Sequence, residues 1–405
     1  MDRMTPNANC WPTGQQELLL KAALLKGRAC IEAWECWKSS ADVEHLDVGS
    51  HRLLPHLYSN LRDQGVKDPL MSTFKGVYRR TWYDNQLLFH QVSTLLLAFR
   101  NAGIETMVLK GAALATLHYK DFGLRPMNDF DLMVPVGQIW AAIDLMREWD
   151  WNPMPRSPEA LTDSYLSIVN SHGFVHKTGR ECDLHWHLFP ECCQPDADVD
   201  FWERSVPLQI HGVSTRSLSP TDHLLHICIH GAEWNPIPPL RWVADAVMII
   251  GTSSIDWDGL VAQGRARYLT LPLRDTLNYL HLQLAAPIPA NTLRALNEMP
   301  TSRMERAEYR YKTQNYEEKT LGYLPVLWFR YLRLEGADHS SHKLVGFIKY
   351  LQRFWGAERL RELPFFAVIM GARKVRSLAA SMTQSIKDSI KAVIAVETNG
   401  RAVSK

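Results

Sequence analysis

The chain has 405 residues, of which 46% are hydrophobic and 22% charged, and its 45 Lys plus Arg against 43 Asp plus Glu give a formal net charge of +2. This is an ordinary globular composition, long enough for two or three structural units at roughly 150 residues each. It excludes a small disulfide- or metal-stapled module, and the near-neutral balance speaks against a dedicated duplex-DNA binder, which is usually strongly basic.

Cysteines stand at positions 10, 30, 36, 182, 192, 193 and 228, with no CxxC pair. Neither a disulfide framework nor a zinc ribbon is indicated, and a reducing cytoplasm is the expected compartment. The N-terminal MDRMTPNANCWPTG lacks the apolar region of a secretory signal. No stretch reaches the roughly 18 uninterrupted apolar residues of a membrane-spanning helix.

Residues 1–14 are polar, and the pattern from Gln15 to Arg100 is helical. The clearest helix runs from about Asp84 to Asn101, where Leu88, Val92, Leu95, Leu96 and Phe99 fall on one face. Asn101-Ala102-Gly103 ends it, with Gly as the stop. Ile104 to Leu109 is short, apolar and β-branched at its start, which predicts a buried strand. Lys110-Gly111 and a short helix, Ala112 to Tyr119, follow; then come a loop from Lys120 to Asn128, a second strand from Asp129 to Val134, and a helix from Val136 to Trp149. Residues 150–163 carry three prolines and read as a connection. Gly173 to Lys177 and Glu181 to Leu188, flanking Thr178-Gly179-Arg180, read as a β-hairpin. The β content thus lies between 104 and about 215. Ser219-Pro220-Thr221-Asp222 is a helix start, with Ser as N-cap and Pro in the first turn. From about 240 to 395 only helices are expected, ending in a loose tail from Gln384.

Strand alternation sorts the acidic residues. In DFDLMV, Asp129, Asp131 and Met133 share one face, while Phe130, Leu132 and Val134 share the other. In ECDLHWHL, Asp183, His185 and His187 lie opposite the apolar Cys182, Leu184, Trp186 and Leu188. If the two strands are neighbours, three carboxylates converge, and cations must offset them. Oxygen ligands of this kind suit Mg²⁺ (or Mn²⁺), and a pair of such ions clamps the oxygens of an in-line displacement at phosphorus. The Gly111 turn opens a helix, whose first N–H groups attract anions. Gly111 with the small Ala112 leaves room for phosphates, and Lys110 and Arg125 supply positive charge beside them. Neither a Walker A loop nor GxGxxG is present.

The blocks LKGAAL, YKDFGLRPMNDFDLMV and CDLHWHL resemble the uncharacterised nucleotidyltransferase family of bacteria, within the polymerase-β-like nucleotidyltransferase superfamily, over about residues 85–300. The resemblance implies that Gly111 is the motif glycine, that Asp129 and Asp131 are a metal-binding pair and that Asp183 is the third carboxylate. It also implies transfer of a nucleoside monophosphate from an NTP to an acceptor, a small molecule, saccharide, peptide or protein that the sequence does not name. Ala112 stands where many superfamily members carry Ser or Gly.

Other signals have plainer explanations. His223, His226 and His230 share a helical face that can bind zinc, but without HExxH a polar stripe packed on the catalytic layer is the expected role, with His230 reaching the cleft. Arg241 and Asp245, four residues apart, are expected to pair. The basic and aromatic residues from Pro325 to Trp355 fit amphipathic core helices better than a nucleic-acid or membrane surface.

The expected fold is therefore α+β: a small mixed sheet forming a nucleotidyltransferase core at residues 101–216, after an N-terminal helical region (1–100) and before a packed helical domain (217–300) and a C-terminal helical region (301–405). The expected activity is Mg²⁺-dependent nucleotidyl transfer by a cytoplasmic enzyme. The competing reading is a non-catalytic nucleotide-binding or partner-binding module on the same fold.

Overall fold

A computed structural model describes residues 10–154, 161–233, 235, 240–314, 322–335, 343–357 and 359–363. Its centre is a mixed seven-stranded sheet. The strands are β1 (Met107–Leu109), β2 (Asp129–Met133), β3 (Trp151–Met154), β4 (Ser171–His176), β5 (Glu181–His185), β6 (Val206–Ile210) and β7 (Val213–Ser217), in the order β3-β4-β5-β2-β1-β7-β6. β2 runs antiparallel to β1 and parallel to β5, and β1 runs parallel to β7. The remaining pairs are antiparallel hairpins or meanders.

The acidic strand β2 is thus fourth of seven, not at an edge. Its Phe130 and Leu132, with Val108, Cys182 and Leu184, face a core completed by Leu88, Val92 and Phe99 of the Leu70–Asn101 helix. Met133, with Met107 and Leu109 of β1, joins a second core built from the N-terminal helices and from the helices after Ser219. Both faces are covered, which is why β1 reads as an unbroken apolar run. The face that carries Asp131 is roofed, and Asp131 is only 6% exposed.

The helix expected from Asp84 begins at Leu70. Its first half is only sparsely apolar, but Phe74 is fully buried with its ring edge-to-face on Trp34, so packing rather than periodicity sustains the early turns. The helix ends as expected at Gly103, where φ is +72°. The 178–180 hairpin also forms, with Gly179 at φ +81°. The connection expected at 150–163 contains β3. Pro153 hides it in the sequence, yet β3 is an edge strand, where a missing N–H costs no ladder bond. Ser219 caps the Pro220–Gly231 helix by accepting from the Asp222 N–H.

Helices continue through Arg241–Thr252, Trp257–Ala266, Thr270–Leu284, Ala290–Glu298, Arg303–Thr313, Leu324–Glu335 and Lys343–Trp355. In the last two, Trp328 meets Phe347 edge-to-face at 4.9 Å, and Tyr350 stacks on Phe347 and Phe354. These rings pack on one another and against the sheet core, the plainer of the roles expected for them. The tail expected from Gln384 lies outside the described residues. Among those described, no helix is long and apolar enough to cross a membrane.

Candidate active site

The parallel register of β2 and β5 sets Asp131 opposite Asp183 and Met133 opposite His185. Alternation then points Asp131, Asp183 and His185 to one side of the sheet. One ligand atom from each lies within 4.8 Å of the others. His185 Nε2 is 3.2 Å from Asp131 Oδ1. On the other flank of β5, Gly173 of β4 is opposite Asp183, and a Cβ there would stand 3.3 Å from Asp183 Oδ1. Glycine at this position leaves the carboxylate its space, a role that only the strand pairing reveals.

The first acid of the DxD pair is placed differently. Asp129 is exposed at the start of β2 and outside the tight cluster, although its charge reaches both Lys110 and Asp183. The third member of the cluster is His185.

Lys110 enters from the end of β1. It has φ +41°, a left-handed conformation unusual for a side chain of this kind, and its Nζ donates to Asp131 Oδ1 at 2.6 Å. Burial pushes this ammonium down, but Asp131, with Asp183 and Asp129, carries it above its ordinary range. Burial would raise the Asp131 carboxyl, yet Lys110 and His185 outweigh it and hold Asp131 far below the usual carboxylate range. Asp183 shifts the other way, raised by burial and by the charge of Asp131. The pair therefore behaves as like charges do when one cation serves both. Lys110 already supplies one positive charge here, so the phosphate contact expected of it requires that it leave Asp131.

The other residues expected around a nucleotide are more enclosed than their sequence suggests. Ala112 is fully buried in the sheet core, so only its backbone can face a ligand. A Cβ on Gly111 would lie 2.6 Å from Arg125 Nη1 and 2.7 Å from Met127 Sδ, so the space beside this glycine belongs to protein side chains. Arg125 is buried and makes two bonds of 2.8 Å to the carboxylate of Asp245, which also accepts from Tyr119 at 2.8 Å. Asp245 therefore pairs with Arg125 and not, as expected, with Arg241, whose guanidinium donates to the Pro126 carbonyl. Gly111→Val is expected to cost about 1–3 kcal/mol of stability through overpacking. Arg125, pinned by Asp245, cannot retreat from the new methyl groups. A urea unfolding midpoint equal to that of the wild type would show the space to be free.

Of the histidines, His187 bonds Asp198 at 2.7 Å and lies outside the cluster. His223, His226 and His230 do not form a metal cluster among the described residues. His223 is fully buried and meets His118 edge-to-face at 5.8 Å. His230 is exposed, with its ring centroid 6.4 Å from that of His226.

Burial holds the His223 imidazole down to about 3, with His118 adding to the effect, and burial holds His118 down to about 4. Asp245 opposes both shifts, and Arg125 and Lys120 reinforce one each. Below the unfolded value of about 6.5 the unfolded chain binds protons that the folded one refuses, so stability is complete above that pH and falls as pH drops toward 4. Unfolding free energies from urea titrations at pH 7 and pH 5 should differ by about 1–2 kcal/mol for each of the two histidines. His223→Gln should flatten that pH dependence.

Residues 48–285 match the family model described as "Uncharacterised nucleotidyltransferase", and the chain belongs to that family. A crystal structure of an antigenic nucleotidyltransferase-like protein from Paracoccidioides brasiliensis is similar at a TM-score of 0.33 and 15% identity, over 53% of this chain and 94% of that one. No curated protein matches the chain.

Proposed function

We propose that this protein transfers a nucleoside monophosphate from an NTP to a hydroxyl-bearing acceptor, with a divalent cation, Mg²⁺ or Mn²⁺, held by Asp131 and Asp183 and with Asp129 at the mouth of the site. The observation that carries the reading is the β2–β5 register, which pairs two acidic residues from strands distant in sequence side by side on one face of the sheet. The donor set fits such a cation: the carboxylates converge, Gly173 leaves Asp183 its room, and the site already holds the positive charge of Lys110. When bound, the cation supplies charge neutralisation for the triphosphate and its developing leaving group.

The chain's own groups do the rest. Lys110, freed from Asp131, is one side-chain length from the helix start and is suited to the phosphates of the donor. The Gly111 and Ala112 amides sit at that helix start. Asp183 takes the proton of the acceptor hydroxyl, whose oxygen bonds to the α-phosphorus. The bond from that phosphorus to the bridging oxygen breaks, and pyrophosphate leaves. The roof over Asp131 keeps competing water from the reaction.

A non-catalytic, nucleotide-binding role has one observation in its favour, the Lys110 ammonium that neutralises Asp131. Incubation with each labelled NTP and either cation, with and without cell extract, separates the two readings. Transfer of label is expected, and Asp183→Ala should suppress turnover while most NTP binding survives. Binding of NTP by the wild type with no label transferred to any fraction would favour the non-catalytic role.

A further inference from the structure

We infer that His185 is a nitrogen ligand of the cation site, making it a two-carboxylate, one-imidazole centre that prefers a transition-metal dication such as Mn²⁺ to Mg²⁺. This deepens the functional reading above and rests on it for the two carboxylates.

The inference starts from strand geometry. His185 follows Asp183 by two residues on β5, so both side chains leave the same face, and Asp131 stands opposite Asp183 on β2. No conformational change is needed to bring a donor atom of each within 4.8 Å of the others. Asp129, the first acid of the DxD pair, is not among them.

The chemistry of the three side chains then selects the ion. The His185 side chain is almost wholly buried, and Nδ1 has no hydrogen-bond partner, so the ring is not held in place by a bond on its far side. Its Nε2 is aimed at Asp131 Oδ1, the same oxygen that receives the Lys110 ammonium. Asp183, whose carboxylate has no hydrogen-bond partner among the described residues, completes the ring of donors around that point. An all-oxygen site suits Mg²⁺, which dehydrates reluctantly and gains little from nitrogen. Replacing one oxygen donor by imidazole shifts preference toward first-row transition metals. His187, two residues beyond the end of β5, cannot serve, because its ring is committed to Asp198.

A simpler role for His185 is to hydrogen-bond Asp131 and hold it in place. Pulsed electron paramagnetic resonance distinguishes the two, because only a directly bound imidazole gives strong nitrogen coupling to Mn²⁺. The measurement uses the full-length protein with Mn²⁺ alone, in wild type and in Lys110→Met, where the ammonium no longer competes. Mn²⁺ and Mg²⁺ affinities are measured by calorimetry on the same proteins and on His185→Gln.

Nitrogen coupling that disappears in His185→Gln is expected, with Mn²⁺ affinity falling about tenfold or more and Mg²⁺ affinity changing much less. Mn²⁺ bound without nitrogen coupling, or coupling that persists in His185→Gln, would overturn the ligand role and leave the two-carboxylate reading standing. No Mn²⁺ binding in either background would overturn both. His185→Asn, which retains a side-chain donor and acceptor in less volume, guards against loss of fold: if circular dichroism shows that His185→Gln is unfolded, the same comparison is read from that variant.

Discussion

Asp131→Asn is expected to reduce nucleotidyl transfer by at least about a thousandfold, since cation-assisted charge stabilisation supplies several kcal/mol to phosphoryl chemistry. Asp131 is the residue on which the site converges: Lys110, His185 and Asp183 all reach its carboxylate or its immediate surroundings. An amide is nearly the same size, so packing between the two cores is preserved, but it offers one oxygen and no charge. The Lys110 ammonium would lose its closest counter-charge. It retains the fields of Asp183 and Asp129 and some contact with solvent, so the stability cost should stay near 1–2 kcal/mol. Label transfer is the assay and urea unfolding the control. Transfer within about tenfold of wild type would sink the assignment, and a collapsed urea transition would move Asp131 from chemistry to folding. Asp129→Asn should be the milder substitution, because Asp129 is exposed and outside the tight cluster.

The parts of the site carried by local pattern were legible in the sequence. Alternation within DFDLMV and within ECDLHWHL assigns each side chain to its face, and the Gly179 turn announces the hairpin that brings Gly173 beside Asp183. The pairing of β2 with β5 was conditional, because no local signal says that two parallel strands separated by two α-helices and two other strands are neighbours. His185 was visible as a face-mate of Asp183, but not its distance from Asp131.

What local pattern concealed was partner choice. Lys110, Gly111 and Arg125 have the chemistry of a phosphate site, and nothing nearby in the chain shows that Lys110 turns onto Asp131 or that Arg125 and Met127 fill the space beside Gly111. The spacing of Arg241 and Asp245 suggests a helical pair, but a residue 120 positions away takes the carboxylate instead. Side chains of buried ions choose partners through tertiary geometry, and i,i+4 spacing adds only about 0.2–0.5 kcal/mol against that choice.

That buried partnership leads to the largest expected effect on stability. Asp245→Ala should destabilise the fold by about 3–5 kcal/mol, because it strips both carboxylate contacts from a guanidinium that has almost no access to water. Arg125 and Asp245 are both almost fully buried, and their two bonds are in the fork geometry that suits Arg to a carboxylate. Tyr119 would lose its acceptor as well. The charges support one another: Asp245 raises Arg125 above its ordinary value against the effect of burial, and Arg125 lowers Asp245 against the same effect. Arg125→Met alone should cost a similar amount, since it leaves the carboxylate buried and unpaired. The double variant Arg125→Met with Asp245→Leu removes both charges and should recover much of the loss, as apolar replacements of buried ion pairs commonly do. A double-mutant cycle in urea gives the coupling directly. If Arg125 instead served the nucleotide, Arg125→Met would weaken NTP binding while leaving the urea midpoint in place, and Asp245→Ala would be nearly silent in both. Because Arg125 also borders Gly111, some loss of NTP affinity can accompany unfolding in the single variants. The double variant separates the two causes: restored stability with restored NTP affinity makes Arg125 a strut beneath the phosphate turn, whereas restored stability with affinity still lost makes it a ligand of the nucleotide.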